Sequence, residues 1–221
     1  MTVISMSDAD FKNILATTAS ICTILQFLTG TLTCQKFVQN KSTGDISSFP
    51  FVSGCISTSL WLRYGFLIQD RSLILVNTVG ATLFFAYVVT FYIYSIKKTM
   101  VIRQFSICLL FLLIVLVYIH NSKHPENARS HLGLICSGVT IVFFAAPFAT
   151  LMHVIRVKNT DSLPYHLIFA TFIVSLQWMM YGFILNDRFI QIPNLLGCIL
   201  SGIQLSLFMI YPKNSKIYSN V

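Results

Sequence analysis

Charge is what this chain most lacks. Only 10% of its 221 residues are Asp, Glu, Lys or Arg, against roughly 25% in soluble domains. Hydrophobic residues make up 55%, and 19 residues are Phe. A soluble protein of this length could not hide so much apolar surface, so the excess must face lipid. Other absences narrow the reading. The six cysteines, Cys22, Cys34, Cys55, Cys108, Cys136 and Cys198, form no CxxC pair and sit in or beside apolar runs. They read as small packing residues, and neither a metal site nor a disulfide frame is expected. The start, MTVISMSDADFKN, has two acids and one base. It has neither the basic opening nor the small-residue cleavage site of a secretory signal, so the apolar run from Ile14 is read as a permanent helix. The net charge of +8 comes from bases scattered among short loops, with no long basic tract, so nucleic acid is not an expected partner. No Ser-His-Asp or HExxH constellation occurs, and His153 and His166 are loop-proximal. The chain reads as a non-enzyme without cofactor or metal.

What is present is a set of seven apolar runs. A span needs about 20 mainly apolar residues, and the runs fall at 13–35, 47–68, 72–96, 103–120, 131–155, 164–185 and 189–211. The expected fold is therefore an all-α integral membrane protein with seven transmembrane helices, its termini on opposite sides. One side collects Lys36, Lys41, Lys97, Lys98, Arg103, Arg156, Lys158, Lys213 and Lys216 against Asp45 and Asp161, a net of +7. The other nets +1. Lys/Arg excess marks the cytoplasm, which places the N-terminus outside and the short tail, 212–221, inside.

The chain also repeats itself. WLRYGFLIQDRSLILVN, Trp61 to Asn77, returns as WMMYGFILNDRFIQIPN, Trp178 to Asn194, 117 residues later. Between Trp61 and Tyr94, twelve of 34 positions are identical without a gap. Hydrophobic composition can repeat Leu or Ile by chance, but not Trp, Tyr-Gly, Asp-Arg, Asn and Gly in register. The repeats cover 13–96 and 131–211, three spans each, and the unmatched span 103–120 is a linker. Three helices alone would return the chain on the opposite side and invert the second triplet. One more crossing makes the triplets parallel, as the matched Lys41 and Lys158 require, giving a 3+1+3 arrangement. Parallel repeats of this kind place a site between them, near the midplane.

The paired W-x-x-Y-G motifs, the loops KSTGDISSFP and KNTDSLPY, and the late PNLLG resemble the SWEET sugar transporters, most closely the animal, saliva-type branch, over roughly Ile14 to Tyr211. The resemblance implies uniport of a small neutral sugar by alternating access, and often a homo-oligomer. It leaves the membrane unsettled: the plasma membrane is expected, with Golgi or endosomal membrane as the alternative. The rival readings are a proton-coupled carrier of the related PQ-loop type, a membrane scaffold or trafficking factor, and a seven-helix receptor. The first wants an intramembrane acid, and Arg63 is the only ionisable Asp, Glu, Lys or Arg within a span. The repeat argues against a receptor.

Trp61 and Trp178 either anchor at the interface or bracket a sugar, since aromatic faces suit the C–H faces of a pyranose. Asn77 and Asn194 either glue helices, at about 0.6–2 kcal/mol, or bind hydroxyls in either direction. The family pattern places substrate contacts at these asparagines. It also sets pocket size at Ser57 and Val174, one turn before each Trp, and the small polar Ser57 favours a monosaccharide. Pro50, Pro147 and Pro164 fall inside or at the start of apolar spans, where a proline removes a backbone hydrogen bond and bends the helix. They are either static kinks or, as the resemblance implies, hinges, with Gly30 where the pattern has a fourth proline. Asp70-Arg71 and Asp187-Arg188 are either solvated loop charges or part of an outer gate in which Tyr64 and Tyr181 constrict and Arg71 latches to Asp187. On the gate reading, Asp187→Ala shifts the protein toward outward-open, seen as faster modification of cysteines placed in the outer vestibule.

Overall fold

The computed structural model describes residues 8–211; the expected tail 212–221, with Lys213 and Lys216, lies outside them. The described residues form eight helices and no strand: α1 Asp8–Asn40, α2 Phe49–Ile68, α3 Arg71–Tyr94, α4 Lys98–His120, α5 Pro125–Phe143, α6 Ala145–Val157, α7 Tyr165–Ile184 and α8 Arg188–Ile210. Seven stretches among them are long and apolar enough to cross a membrane, with α5 and α6 together supplying one, Pro125–Val157. The seven expected spans are all present. Several helices run past their expected ends, α1 by about a turn each way, because polar residues such as Asp10 and Lys36 continue a helix beyond the apolar run that marks the hydrocarbon. Large apolar side chains stay exposed along these helices, Ile107, Leu110 and Ile114 on α4 among them. That is the lipid-facing surface the composition demanded.

The fifth span, expected over 131–155 with Pro147 inside it, is two helices. It divides at Phe144, between α5 and α6. Pro147 lacks an N–H, and its ring crowds the carbonyl four residues back, that of Phe143, the last residue of α5. Phe144 N–H turns instead to Ile141 O at 3.0 Å. The other two expected hinge prolines interrupt no ladder. Pro50 occupies the first turn of α2 and Pro164 the N-cap of α7, positions where a missing N–H costs nothing. Gly30 lies within an unbroken α1. Its bare Cα admits the ring of Tyr87, whose Cε2 would stand 2.5 Å from an added Cβ.

The compact units are not the repeats themselves. One comprises 20–136 and the other 8–19 with 137–211. In the first, α2 packs on α3, and α4 packs on both. Phe37, Phe51, Tyr87, Phe91 and Val101 form its core, with Phe37 edge-on to Phe91 at 5.5 Å. Tyr87 OH donates to Phe27 O at 3.1 Å and pairs with Thr31 Oγ1 at 2.9 Å, tying α3 to α1. In the second unit, α7 packs on α8, and α8 also touches α6. Leu151, Val154, Leu163, Ile168 and Leu207 form that core. Gln204, the repeat counterpart of Tyr87, donates to Pro147 O at 3.1 Å.

One proline sits inside a helix, Pro193 in α8. It leaves the carbonyl of Phe189 without its usual donor, and Ser137 Oγ from α5 supplies one at 2.8 Å. Such a bond is worth about 0.6–2 kcal/mol in a membrane protein. Ser137→Ala should therefore lower the thermal unfolding midpoint in detergent micelles. Adding Pro193→Ala, which returns an N–H to α8, should recover part of the loss. A double variant with strictly additive losses would refute this account.

Candidate functional site

Each repeat folds the same turn around the same residues. In the first, α2 and α3 are joined by Gln69 and Asp70 alone. Gln69 takes a left-handed backbone, φ 55°, and Asp70 N–H donates to Gly65 O at 3.0 Å. In the second, Asn186 takes φ 50° and Asp187 N–H donates to Gly182 O at 2.9 Å. The Tyr-Gly motif has a steric cause. A Cβ on Gly65 would stand 3.1 Å from Ile74 N, and one on Gly182 would stand 3.0 Å from Gln191 N. Only glycine lets the end of one helix come this close to the start of the next.

The aspartates cap the helices that follow. Asp70 Oδ1 accepts from Leu73 N–H at 2.9 Å. Asp187 Oδ1 accepts from Phe189 N–H at 3.0 Å and from Ile190 N–H at 3.4 Å. Both are buried, Asp187 to 2% exposure, so neither is a solvated loop charge. Arg71 and Arg188, beside them, are exposed. Asp187→Ala thus removes a cap as well as a charge, whereas Asp187→Asn removes the charge and keeps an acceptor.

The aromatic pairs match as closely. Trp61 stands edge-on to Tyr64 at 5.6 Å and 89°, and Trp178 to Tyr181 at 5.6 Å and 81°. Tyr64 and Tyr181 are buried, at 0% and 2% exposure. The asparagines sit two turns into α3 and α8. Asn77 Nδ2 donates to Leu73 O at 2.9 Å, and Asn194 Nδ2 to Ile190 O at 2.8 Å. Each amide so spends one donor on its own helix and retains its Oδ1 and one N–H. Ser57 and Val174 are half-buried one turn before each Trp. The structure thus gathers Trp, Tyr, Gly, Asp and Asn into one helical hairpin, twice. Of the hinge positions, Pro50 and Pro164 stand at the starts of α2 and α7, at the far end of each hairpin's first helix from the turn, while Gly30 and Pro147 belong to α1 and α6.

Sequence reading missed Gln177, a polar residue in the apolar run of α7 beside Trp178. Its Oε1 is buried without a hydrogen-bond partner. The repeat comparison hid it, because Leu60 holds the matching place. It also missed the matched ties of Tyr87 and Gln204. No group of three or more metal-ligating side chains occurs among the described residues. A cavity of about 400 Å3 near the starts of α2 and α4, lined by Thr43, Asp45, Ser48, Ser95 and Lys97 among others, includes none of the expected site residues.

The family model described as "Sugar efflux transporter for intercellular exchange" matches the chain twice, over 13–99 and 130–216. The two matches begin 117 residues apart, the offset of the sequence repeat. The chain belongs to this SWEET family of multi-pass membrane transporters, which are not enzymes. It is 49% identical over 204 residues to Sugar transporter SWEET1 of Drosophila pseudoobscura pseudoobscura, covering 91% of this chain and 90% of that one. It is 34% identical to the human Sugar transporter SWEET1, over 87% and 88% of the two chains. A eukaryotic SWEET transporter solved at 3.7 Å superposes with a TM-score of 0.80 at 25% identity, over 91% of this chain and 98% of that one.

The close approach at the hairpins is testable. Gly65→Val and Gly182→Val each force a side chain against backbone, at a cost of about 1–3 kcal/mol. Each should lower the unfolding midpoint and the yield of folded protein, while the same change at the open Gly138 should have far less effect.

Proposed function

We propose that this protein transports sugar across its membrane as a facilitative, bidirectional uniporter working by alternating access, with a neutral monosaccharide as substrate. The observation that carries the reading is the doubled hairpin, in which a Trp–Tyr edge pair and a helix-anchored asparagine recur in a chain of a sugar-transporter family. Aromatic walls with a few oriented polar groups suit a small neutral ligand. An amide left with an acceptor and a donor suits hydroxyls, which both give and take hydrogen bonds. Trp61, Asn77, Trp178 and Asn194 are the proposed substrate contacts, with Ser57 and Val174 setting the room available. The small Ser57 supports a monosaccharide.

Uniport rather than proton coupling is supported by what the acids do. Asp70 and Asp187 are buried, but both already accept from backbone N–H groups at helix starts. A proton-coupled carrier needs a titrating relay along its path. Tyr64, Arg71, Tyr181 and Asp187 form the proposed outer gate, and Gly30, Pro50, Pro147 and Pro164 the proposed hinges. The break at Phe144 makes Pro147 the strongest hinge candidate. The plasma membrane is the proposed location and a homo-oligomer the proposed assembly.

The test is uptake of labelled glucose into liposomes holding the purified protein, with and without an imposed pH gradient. Equilibrative uptake that ignores the gradient, and that falls at least tenfold in Asn77→Ala and in Asn194→Ala, is expected; tenfold corresponds to about 1.4 kcal/mol. Uphill accumulation driven by pH would replace uniport with proton coupling. No uptake of any hexose by folded protein would refute the reading.

A further inference from the structure

Each buried aspartate precedes its asparagine by seven positions, Asp70 before Asn77 and Asp187 before Asn194. In both helices the hydrogen bonds between them pass through one residue. In α3 that residue is Leu73, whose N–H is held by Asp70 Oδ1 at 2.9 Å and whose carbonyl receives Asn77 Nδ2 at 2.9 Å. In α8 it is Ile190, whose carbonyl receives Asn194 Nδ2 at 2.8 Å; its N–H is shared between Asp187 O at 3.2 Å and Asp187 Oδ1 at 3.4 Å. Phe189 N–H holds the same carboxylate oxygen more tightly, at 3.0 Å. Leu73 and Ile190 are both buried, at 3% and 2% exposure.

First-turn N–H groups have no acceptor within their own helix, and a side-chain cap is what keeps that turn wound. The carbonyls of Leu73 and Ile190 belong to this turn. An asparagine bonded to such a carbonyl is only as well placed as the turn itself. The bond also selects one face of the amide. Rotation about the last side-chain torsion would exchange the oxygen and nitrogen ends, and donation to the carbonyl forbids that exchange.

We propose that Asp70 and Asp187 are positioning residues for substrate recognition: by capping the first turn of each helix, Asp70 at Leu73 and Asp187 chiefly at Phe189 beside Ile190, they hold the amides of Asn77 and Asn194 in one orientation, each offering Oδ1 as a fixed acceptor to a hydroxyl donor. This rests on the reading of the two asparagines as sugar contacts. The device explains why each repeat carries an acid at this spacing, and it requires an acceptor rather than a charge. Asparagine caps a helix about as well as aspartate, so exchanging the two separates this role from any charge-based one. Asp70 is the cleaner position, because Asp187 also belongs to the proposed gate.

The experiment compares wild type, Asp70→Ala and Asp70→Asn in two measurements. One is the half-saturation concentration and maximal rate of glucose uptake into liposomes. The other is hydrogen exchange of the Asn77 side-chain amide, followed by NMR on protein carrying 15N-labelled asparagine. Asp70→Ala should raise the half-saturation concentration about 3- to 10-fold, leave the maximal rate near wild type, and abolish protection of the amide. Asp70→Asn should restore both readouts. An unchanged half-saturation concentration in Asp70→Ala, or an equal loss in both variants, overturns the proposal. If Asp70→Ala does not fold, Asp70→Asn alone decides, and weakened apparent affinity in it is the overturning result. Wild-type protein that takes up no glucose sinks the sugar reading instead. The exchange measurement then judges the clamp, and equal protection in wild type and Asp70→Ala removes it.

Discussion

The constraint on which the rest of the site depends is the tight turn between paired helices, with a buried aspartate at its centre. Asp70 and Asp187 each bond backward to a glycine carbonyl at the end of one helix and forward to the first-turn N–H groups of the next. Everything singled out for substrate contact hangs from that junction. The Tyr directly precedes the glycine and the Trp lies one turn before it, and the asparagine lies two turns after the aspartate. In a membrane, an unsatisfied backbone group has no water to turn to. A connection of two or three residues that satisfies its own helix ends is therefore both a structural necessity and a rigid mount for polar side chains.

The same need for satisfied backbone accounts for how the chain tolerates its prolines. Pro50 and Pro164 stand at helix starts, where the missing N–H is an orphan in any case. Pro193 stands inside α8, and the Ser137 hydroxyl takes over the carbonyl it strands. Pro147 has the largest effect, dividing a span into two helices, and Gln204 bonds to its carbonyl. The first repeat answers the same position differently. Gly30 keeps α1 continuous and lets Tyr87 pack flush and bond to Phe27 O. The two repeats thus share their hairpins closely and differ at the proposed hinge position, where the second has a divided helix and the first a continuous one.

Seven spans, the repeat and its 117-residue offset were legible because hydropathy and Trp, Tyr-Gly, Asp-Arg and Asn in register are local properties of the sequence. The role of the aspartates was not. In a sequence, QDR and NDR look like solvated loop charges, and only the approach of the two helices at Gly65 and Gly182 buries them. Pro147 marked the fifth span for a bend, but a full division at Phe144 was not legible, because proline at the start of a helix and proline within one read alike until the helix start is known. Gln177 escaped because its partner position is Leu60, and a repeat comparison notices only what recurs.

By itself, then, the sequence determined that the chain is membrane-embedded, that it crosses seven times, and that two of its segments are copies, since these follow from how much apolar surface exists and in what order. Tertiary structure decided which polar groups are bonded within the fold and which keep a donor or acceptor uncommitted. Hydrogen bonding depends on distances of a few tenths of an ångström between atoms brought together by packing, and no spacing along the chain specifies those. Asn77 and Asn194 were candidates as residues; as amides with one donor committed and one acceptor left, they exist only in the fold.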